Sequence, residues 1–386
     1  MVEINSSISS TVKIFVSTEE NVSPVTISPE WSRVGRLLMM SGLSLLGGIG
    51  NVYMISAVIV EEHLSRRGNT YIANIALGDL LISGIVILAS AVVLLAGLED
   101  CPPICNIQWF LGLLCGLVTT FSLMAIAAEN YARLCLSPEF YSKITTTRIT
   151  LSVFIIWGIS IILVTLHFVF KLGPDYCLQK FEHYKSYQLL IAAFIFLTPI
   201  MFTTFLYTKI ILRIRAIRAK TNFKPQLAFN WDYSLMLTNL YSFIMFVLFW
   251  TPFALFLIVP SLEKLGKKPF YWSAWFALSK SCFNNLLYCF SNKHFCDAYI
   301  KLFHYCCCKT TVTFSRRPRS EGGRPSGDVR VHIIPGYNVY PYTSPQRSST
   351  TVGEPTKKVI ATSGKRGYRA AGHGRTRSKD RDIYQL

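Results

Sequence analysis

Asp79 and Lys280 are ionisable residues deep inside long apolar runs of the chain, where a charge is costly and is functional by default. Asp79 lies within the run 70–96. Lys280 lies about eleven residues, or roughly 16 Å, from either end of the run 269–291, so its ammonium cannot comfortably reach water. No second carboxylate accompanies Asp79 in the apolar runs, and the sequence has no zinc motif. We therefore expect neither an enzyme nor a cofactor or metal site.

The apolar runs are long enough to cross a membrane, which takes about 20 mainly apolar residues. Of the 386 residues, 51% are hydrophobic and 16% are charged, whereas about a quarter of the residues of a soluble protein are charged. The runs predicted to span the membrane are 36–60, 70–96, 106–128, 148–170, 188–212, 234–260 and 269–291. The last run is the weakest, because it holds Lys280, Asn284 and Asn285. The alternative is a large soluble helical domain, which this composition disfavours.

Basic residues between the runs predict the orientation, since cytoplasmic loops carry an excess of Lys and Arg. The first, third and fifth connections hold Arg66, Arg67, Arg133, Lys143, Arg213, Arg215, Arg218, Lys220 and Lys224. The last outer loop is basic too, but the bias places the N-terminus outside and the C-terminus inside the plasma membrane. The net charge of +18 does not indicate nucleic acid. Residues 309–386 hold 16 Lys/Arg and 5 Asp/Glu, and this excess of +11 suits anionic membrane lipid.

Three regions follow from this pattern: an outer tail (1–35), a seven-span domain (36–305) and a basic cytoplasmic tail (306–386) that is predicted to be disordered. Asn5 and Asn21 begin Asn-x-Ser triplets in the outer tail and are predicted to be glycosylated. Three adjacent cysteines, Cys306, Cys307 and Cys308, follow a short amphipathic stretch. Such cysteines suit palmitoylation. A metal site is the alternative, but no His or Asp sits beside them at ligand spacing.

Polar, aromatic and proline residues recur inside the runs in a fixed order. They are Gly50-Asn51, Asp79, Trp157, Pro199 with Tyr207, Phe246, Phe249-Trp250-Thr251-Pro252 and Asn284-Asn285-Leu286-Leu287-Tyr288. Over roughly residues 35–305 this set resembles the rhodopsin-like (class A) G-protein-coupled receptors. Within them, Tyr131-Ala-Arg-Leu-Cys135, the Phe-Trp-Thr-Pro of span six and the Asn-Leu-Leu-Tyr end of span seven are most similar to melatonin-like and related orphan receptors.

The resemblance implies an all-α, seven-helix bundle with a short amphipathic eighth helix. It also implies an extracellular ligand, a heterotrimeric G protein and arrestin as partners. In the family, the ligand settles above the residue matching Trp250, and span six pivots near the residue matching Pro252. Phe246 and Trp250 are four apart and share a helical face, and Tyr207 and Tyr288 match further switch positions. The alternative is that these are ordinary large core residues.

Two positions depart from the family pattern. Family members usually end span three with Asp/Glu-Arg-Tyr, whereas this chain has Glu129-Asn130-Tyr131. Asn130 cannot carry the charge of the arginine, so we expect Glu129 to lack its neighbouring cation and coupling to be weak. The alternative function is therefore a non-coupling or arrestin-biased seven-span protein. In span seven, Asn285 replaces the usual proline, which predicts a weaker kink.

Two pairings are implied by the resemblance. Cys105 lies 25 residues before Asn130, where family members place a cysteine bonded to the second outer loop, and Cys177 is the partner. Cys101 is the alternative to Cys105. The family holds a sodium ion between the residues matching Asp79 and Asn284, and Lys280 shares a helical face with Asn284. The Lys280 ammonium is therefore predicted to pair with Asp79 in place of that ion. Alternatively, Lys280 is uncharged or faces a watery pocket.

Two residues that other family members use to bind their ligands are absent from this chain, and their absence narrows the class of ligand. Amine receptors place an aspartate where this chain has Gly112, and visual pigments place a retinal-binding lysine where it has Leu278. Neither an amine nor retinal is therefore expected. Aromatic residues at the predicted mouth of the pocket favour a lipid or a small hydrophobic molecule, unless they form an interfacial belt. These residues are Trp109, Phe110, Trp272, Trp275 and Phe276.

Overall fold

The computed structural model describes residues 22–27, 31–61, 64, 67–171, 176–177, 186–219, 227–259, 262 and 266–307. All of them belong to the compact unit Met1–Arg330, and the other unit, Val331–Leu386, lies outside the described residues. The predicted glycosylation sites Asn5 and Asn21, the third cysteine Cys308 and the tail beyond it also lie outside them. Those predictions stay predictions.

The described residues form a helical bundle, which confirms the predicted fold class. The helices are α1 (Arg33–Val60), α2 (Asn69–Leu95), α3 (Pro102–Cys135), α4 (Thr146–Phe170), α5 (Ser186–Arg218), α6 (Leu227–Ile258), α7 (Lys267–Ser291) and α8 (Lys293–Cys307). A single short helix, Pro138–Ser142, lies between α3 and α4. The first six contain stretches that are long and apolar enough to cross a membrane. The seventh has 25 residues and is more polar, as the sequence indicates.

The helix ends follow from local chemistry. The Ser32 side chain accepts a hydrogen bond from the Gly35 backbone N–H at the start of α1, and Thr145 does the same for Arg148 at the start of α4. These bonds satisfy amide groups that have no partner within the helix. Proline follows the N-cap of α3, where the missing N–H costs nothing.

The bundle is apolar outside and partly polar inside, as expected for a protein surrounded by lipid. Leu38 and Phe154 are each 69% exposed, whereas Asn51 is fully buried. Asn51 donates to the Ser281 carbonyl, and Trp157 donates to Asn74 across two helices. These bonds satisfy polar groups that neither lipid nor an apolar core could serve.

Helix α2 contains a widened, π-helical turn at Ile82–Ile87 that the sequence does not predict. Asp79 precedes this turn, and Ser90 follows it. Gln108 of α3 donates to the Val86 carbonyl and to Ser90 Oγ, which ties the upper part of α2 to α3. Such turns occur frequently at functional sites.

Helix α8 is the predicted amphipathic eighth helix. It buries Phe295, Ala298, Tyr299 and Leu302 against the bundle. Lys301 Nζ lies 3.0 Å from the Glu61 carboxylate at the end of α1, which fixes the helix to the first span. Cys306 and Cys307 are exposed at its end. This exposure suits lipidation, which stays a prediction.

Candidate functional site

A buried ion pair joins α2 to α7 in the middle of the bundle. Lys280 Nζ lies 3.0 Å from Asp79 Oδ2 and 3.2 Å from Oδ1. The two side chains are 1% and 2% exposed. This is the contact predicted from the sequence. Both oxygens of the Asp79 carboxylate therefore accept a hydrogen bond from the Lys280 ammonium.

The ion pair continues into a chain of polar contacts that reaches α6. Asn284 Nδ2 donates to Asp79 Oδ2 at 3.0 Å, and Ser242 Oγ of α6 donates to Asn284 Oδ1 at 2.8 Å. One helical turn further along α7, the Tyr288 hydroxyl donates to Asn239 of α6 at 2.9 Å. A movement of α6 relative to α7 therefore has to break or exchange hydrogen bonds at two levels.

Trp250 lies directly above this polar core. Its ring stacks on Phe246 with a centroid distance of 5.7 Å, as expected for residues four apart. Gly116 of α3 gives the ring its space, since a Cβ at this position would lie 2.5 Å from Trp250 Cη2. Pro252 follows inside α6, where it removes one backbone hydrogen bond and provides a natural pivot.

A narrow cavity of about 20 Å³ lies above Trp250, with room for roughly one water molecule. It is lined by Pro24, Val86, Gln108, Trp109, Gly112, Leu113, Tyr176, Trp250, Phe253, Ala274, Trp275, Ala277 and Leu278. None of these side chains is charged. The sequence predicts Gly112 and Leu278 to lie in the ligand pocket, and both line this cavity. Pro24 and Tyr176 also line it, although the sequence does not predict them there.

Only two of the five predicted mouth aromatics, Trp109 and Trp275, line the cavity. The prediction is wrong for the other three. Phe276 is 41% exposed and stacks on Phe249 at 4.4 Å, which places it on the outer face of α7. Trp272 packs on Trp31, and Phe110 packs on Phe168. Each of the three packs on a ring outside the cavity.

The C-terminal end of α3 overturns one expectation. Glu129 does have a neighbouring cation, because Arg133, one turn later, lies 3.6 Å from its carboxylate. Arg133 also donates to Asn130 Oδ1 at 2.6 Å and to Asp232 Oδ1 of α6 at 3.1 Å. Asn130 thus positions an arginine instead of replacing one. The spacing of four residues between Glu129 and Arg133 is a signal from which this ion pair could have been predicted. The contact with Asp232 has no such signal, because Asp232 lies 99 residues further along the chain.

Tyr141, in the short helix after α3, donates to Glu129 Oε1 at 2.9 Å. Burial raises the pKa of Tyr141 above its ordinary value, and the Glu129 carboxylate raises it further. The phenol therefore stays protonated and remains a donor. Tyr131 is half-buried beside Leu136 and Phe140 and takes no part in this network.

Comparison with known proteins decides the family. The family described as 7 transmembrane receptor (rhodopsin family) matches residues 50–288, which hold the ion pair, Trp250 and Arg133. The chain belongs to this family. It is a G-protein-coupled receptor and not an enzyme.

Relatives of this receptor include two melatonin receptors. Melatonin receptor type 1A of Ovis aries is 23% identical over 69% of this chain and 76% of its own length. Melatonin receptor type 1B-B of Danio rerio is 24% identical over 83% of this chain and 99% of its own. The 5-hydroxytryptamine receptor 2A of Drosophila melanogaster is 30% identical, over 45% of this chain and 22% of its own length.

The receptor's disulfide joins Cys105 at the start of α3 to Cys177, with Cα atoms 5.8 Å apart. This confirms the predicted pair, and Cys101 is free. Tyr207 behaves less simply. Its buried hydroxyl and the buried Nδ2 of Asn130 have no hydrogen-bond partner among the described residues. The Tyr207 ring packs on Phe243. Among the described residues, no hydrogen bond joins Tyr207 to Tyr288.

Proposed function

We propose that this receptor binds a small, uncharged, largely apolar ligand from the outside and passes the signal to a heterotrimeric G protein through α3 and α6. The observation that carries the proposal is the Arg133–Asp232 bond of 3.1 Å. It holds the cytoplasmic ends of α3 and α6 together, so a partner helix can enter only after it opens. In this proposal the N-terminus is outside and the C-terminus is inside the plasma membrane.

The ligand class follows from the cavity. Burying an unpaired charge is expensive, and the cavity above Trp250 offers no charged side chain among the described residues. Gly112 leaves no carboxylate for an amine. The relatives are named as melatonin, 5-hydroxytryptamine and adrenergic receptors, and this lining favours a neutral ligand over an aminergic one.

The path of the signal follows from Trp250. Because Gly116 has no side chain, the Trp250 ring can lie directly against α3. Phe246 lies one turn below the ring on the same face of α6. A ligand that displaces the ring pushes α6, whose other end bonds Arg133 through Asp232. Binding then shifts the population toward the open state, in proportion to the ligand's preference for that state.

The Lys280–Asp79 pair replaces the sodium ion of the family. A second cation beside Lys280 would face a like charge and a carboxylate whose oxygens already accept bonds from Lys280 and Asn284. Signalling by this receptor is therefore independent of sodium. Arrestin completes the cycle by binding the tail once Ser348, Ser349, Thr350 and Thr351 are phosphorylated, which adds negative charge and hydrogen-bond acceptors.

The test expresses the full chain in cells with sensors for each class of G protein. Asp232→Asn removes the charge that holds Arg133, and we expect basal signalling in one class to rise several-fold. Asp297→Asn on α8 is the matched control and should signal like the natural chain. If neither the natural chain nor Asp232→Asn activates any class at normal surface expression, the coupling proposal is wrong.

A further inference from the structure

The segment Val22–Ile27, here called the N-terminal plug, is buried in the outer mouth of the bundle. Val25 and Thr26 are 0% exposed. Ser23 Oγ accepts hydrogen bonds from the backbone N–H groups of Val25 and Thr26, and a β-bridge between Ser23 and Ile27 closes the turn. Within a tail that the sequence indicates to be polar and external, these six residues form a compact turn.

The plug contacts the walls of the cavity. The Pro24 carbonyl accepts hydrogen bonds from Trp275 Nε1 of α7 at 3.2 Å and from the Tyr176 hydroxyl at 3.3 Å. Pro24 itself lines the cavity above Trp250. Val25 packs in one apolar cluster with Trp109, Phe253 and Phe270. The plug therefore occupies the region where a ligand entering from the outside would bind.

A second set of contacts fixes the other side of the plug. Arg36 of α1 donates to the Thr26 carbonyl at 3.2 Å and bonds the Glu99 carboxylate at 2.7 Å. The Thr26 hydroxyl donates to the Glu99 carbonyl at 2.7 Å. Arg36 is 2% exposed, so its charge depends on these acceptors. Removing the plug would take away the two acceptors that Thr26 supplies and leave Arg36 with the Glu99 carboxylate.

The backbone of Ile27 shows how firmly the plug is held. Its φ is +65°, in the left-handed region that β-branched residues rarely adopt. Such a conformation persists only where the surroundings over-determine it. Ile27 is 3% exposed and packs in the cluster of Met40 and Trp275. The burial of the Ile27 side chain offsets the free-energy cost of its left-handed backbone conformation.

We propose that the N-terminal plug is a tethered ligand of the receptor's own cavity and that it stabilises the closed state. The proposal rests on the proposed function for its signalling consequence. The plug and the closed Arg133–Asp232 contact are present together in one structure, and a ligand favours the state to which it binds better. A short tether keeps the local concentration of the plug in the millimolar range. An external ligand must displace it, because only about 20 Å³ remains beside it.

The experiment separates plug and bundle after folding. A recognition sequence for a highly specific protease replaces residues 28–30, so that cleavage frees everything up to Ile27. The matched control carries the same sequence between Ser10 and Thr11, where cleavage leaves the plug attached. Both chains carry Ala274→Cys on the cavity wall and Cys101→Ser, which removes the free outer thiol.

Two readouts are taken before and after cleavage on intact cells. The first is the rate at which a membrane-impermeant thiosulfonate labels Cys at position 274. We expect cleavage after Ile27 to raise it at least ten-fold and cleavage after Ser10 to leave it unchanged. The second is basal G-protein signalling, which should rise several-fold. The synthetic peptide Val-Ser-Pro-Val-Thr-Ile should reverse both changes.

The outcomes distinguish the two proposals. Faster labelling, reversed by the peptide, without signalling in any G-protein class supports occupancy by the plug and contradicts the coupling proposal. Unchanged labelling after complete cleavage and washing overturns the plug proposal. Faster labelling with a fall in basal signalling also overturns it as stated, because the plug would then be an activator.

Discussion

Arg133 of α3 bonds Asp232 of α6 one helical turn beyond the position where the family pattern places its arginine. The sequence motif Glu129-Asn130-Tyr131 therefore lacks a charge that the structure supplies from the next turn. Asn130 accepts a hydrogen bond from Arg133 at 2.6 Å and orients it. In the proposed mechanism, Arg133 therefore makes the contact that holds α3 to α6.

The position of Arg133 determines the effect of Asn130→Arg, the change that restores the family motif. In Asn130→Arg, a second guanidinium would lie in a fully buried site next to Arg133. We expect reduced surface expression and no gain of coupling, because the like charges repel and Arg133 loses its acceptor. Cell-surface immunostaining and a G-protein sensor measure both. Asn130→Ala is the control for lost orientation alone, and a strong gain of signalling in Asn130→Arg would contradict this account.

Removing one member of the buried ion pair should be far worse than removing both charges. Lys280→Ala strands the Asp79 carboxylate, which typically costs about 3–5 kcal/mol, so surface expression should fall sharply. Lys280→Ala combined with Asp79→Asn should recover part of it, as a double-mutant cycle would show. Lys209→Ala, an exposed lysine of α5, is the control. Ligand binding or basal signalling that changes with sodium would argue against the replacement of the ion.

Gly116 should be intolerant of even one methyl group. Overpacking a core typically costs about 1–3 kcal/mol, and the added Cβ would meet the Trp250 ring. Gly116→Ala should lower the melting temperature of the purified receptor and change its basal signalling. Gly158→Ala has open space around it and should melt like the natural chain. Trp250→Phe should restore the stability of Gly116→Ala. Equal melting of the two alanine variants would be inconsistent with a tight Gly116–Trp250 contact.

The disulfide predicts two equal losses and one mild effect. Cys105→Ser and Cys177→Ser each remove the same bond, so surface expression should fall to the same degree. Cys101→Ser should be mild, since Cys101 is free. Flow cytometry on intact cells makes the comparison. A severe loss in Cys101→Ser would point to exchange between the outer cysteines.

Low pH should loosen the plug through Glu99. Arg36 hydrogen-bonds the Glu99 carboxylate and lowers its pKa below the ordinary value of 4.5. The contact is therefore fully present above that value and is lost as the pH falls through the lowered pKa. Arg33 and Thr26 also face this carboxylate. Measured relative to the labelling of free cysteine at the same pH, which corrects for the falling thiolate fraction, labelling at position 274 should accelerate only below about pH 4.5, and Glu99→Gln should remove that step.

Features built on short-range periodicity or on one distinctive pair were predictable from the sequence. The spans follow from hydrophobicity, and Lys280 could pair only with Asp79 because the apolar runs hold no other carboxylate. The contact between Arg133 and Asp232 was not predictable in this way. Asp232 lies before the apolar run of α6, among residues that read as an ordinary cytoplasmic loop.

The plug escaped prediction for a different reason. Val22-Ser-Pro-Val-Thr-Ile27 is too short for a periodic signal, and Thr26 and Ser23 suit an exposed tail as well as a buried turn. Its burial depends on Arg36, Glu99 and Trp275, which lie on three different elements. Only the assembled bundle brings these groups together.

The π-helical turn at Ile82–Ile87 lets the two ends of α2 face different neighbouring helices. Each residue advances a helix by about 100°, so one residue accommodated in a wider turn shifts the phase of everything beyond it. Asp79 keeps its alignment with Lys280, while Ser90, beyond the turn, keeps its own with Gln108. Deleting one residue from this stretch would rotate one end by about 100° and turn either Asp79 or Ser90 away from its partner. The number of residues between Asp79 and Ser90 is thus constrained more tightly than their identity.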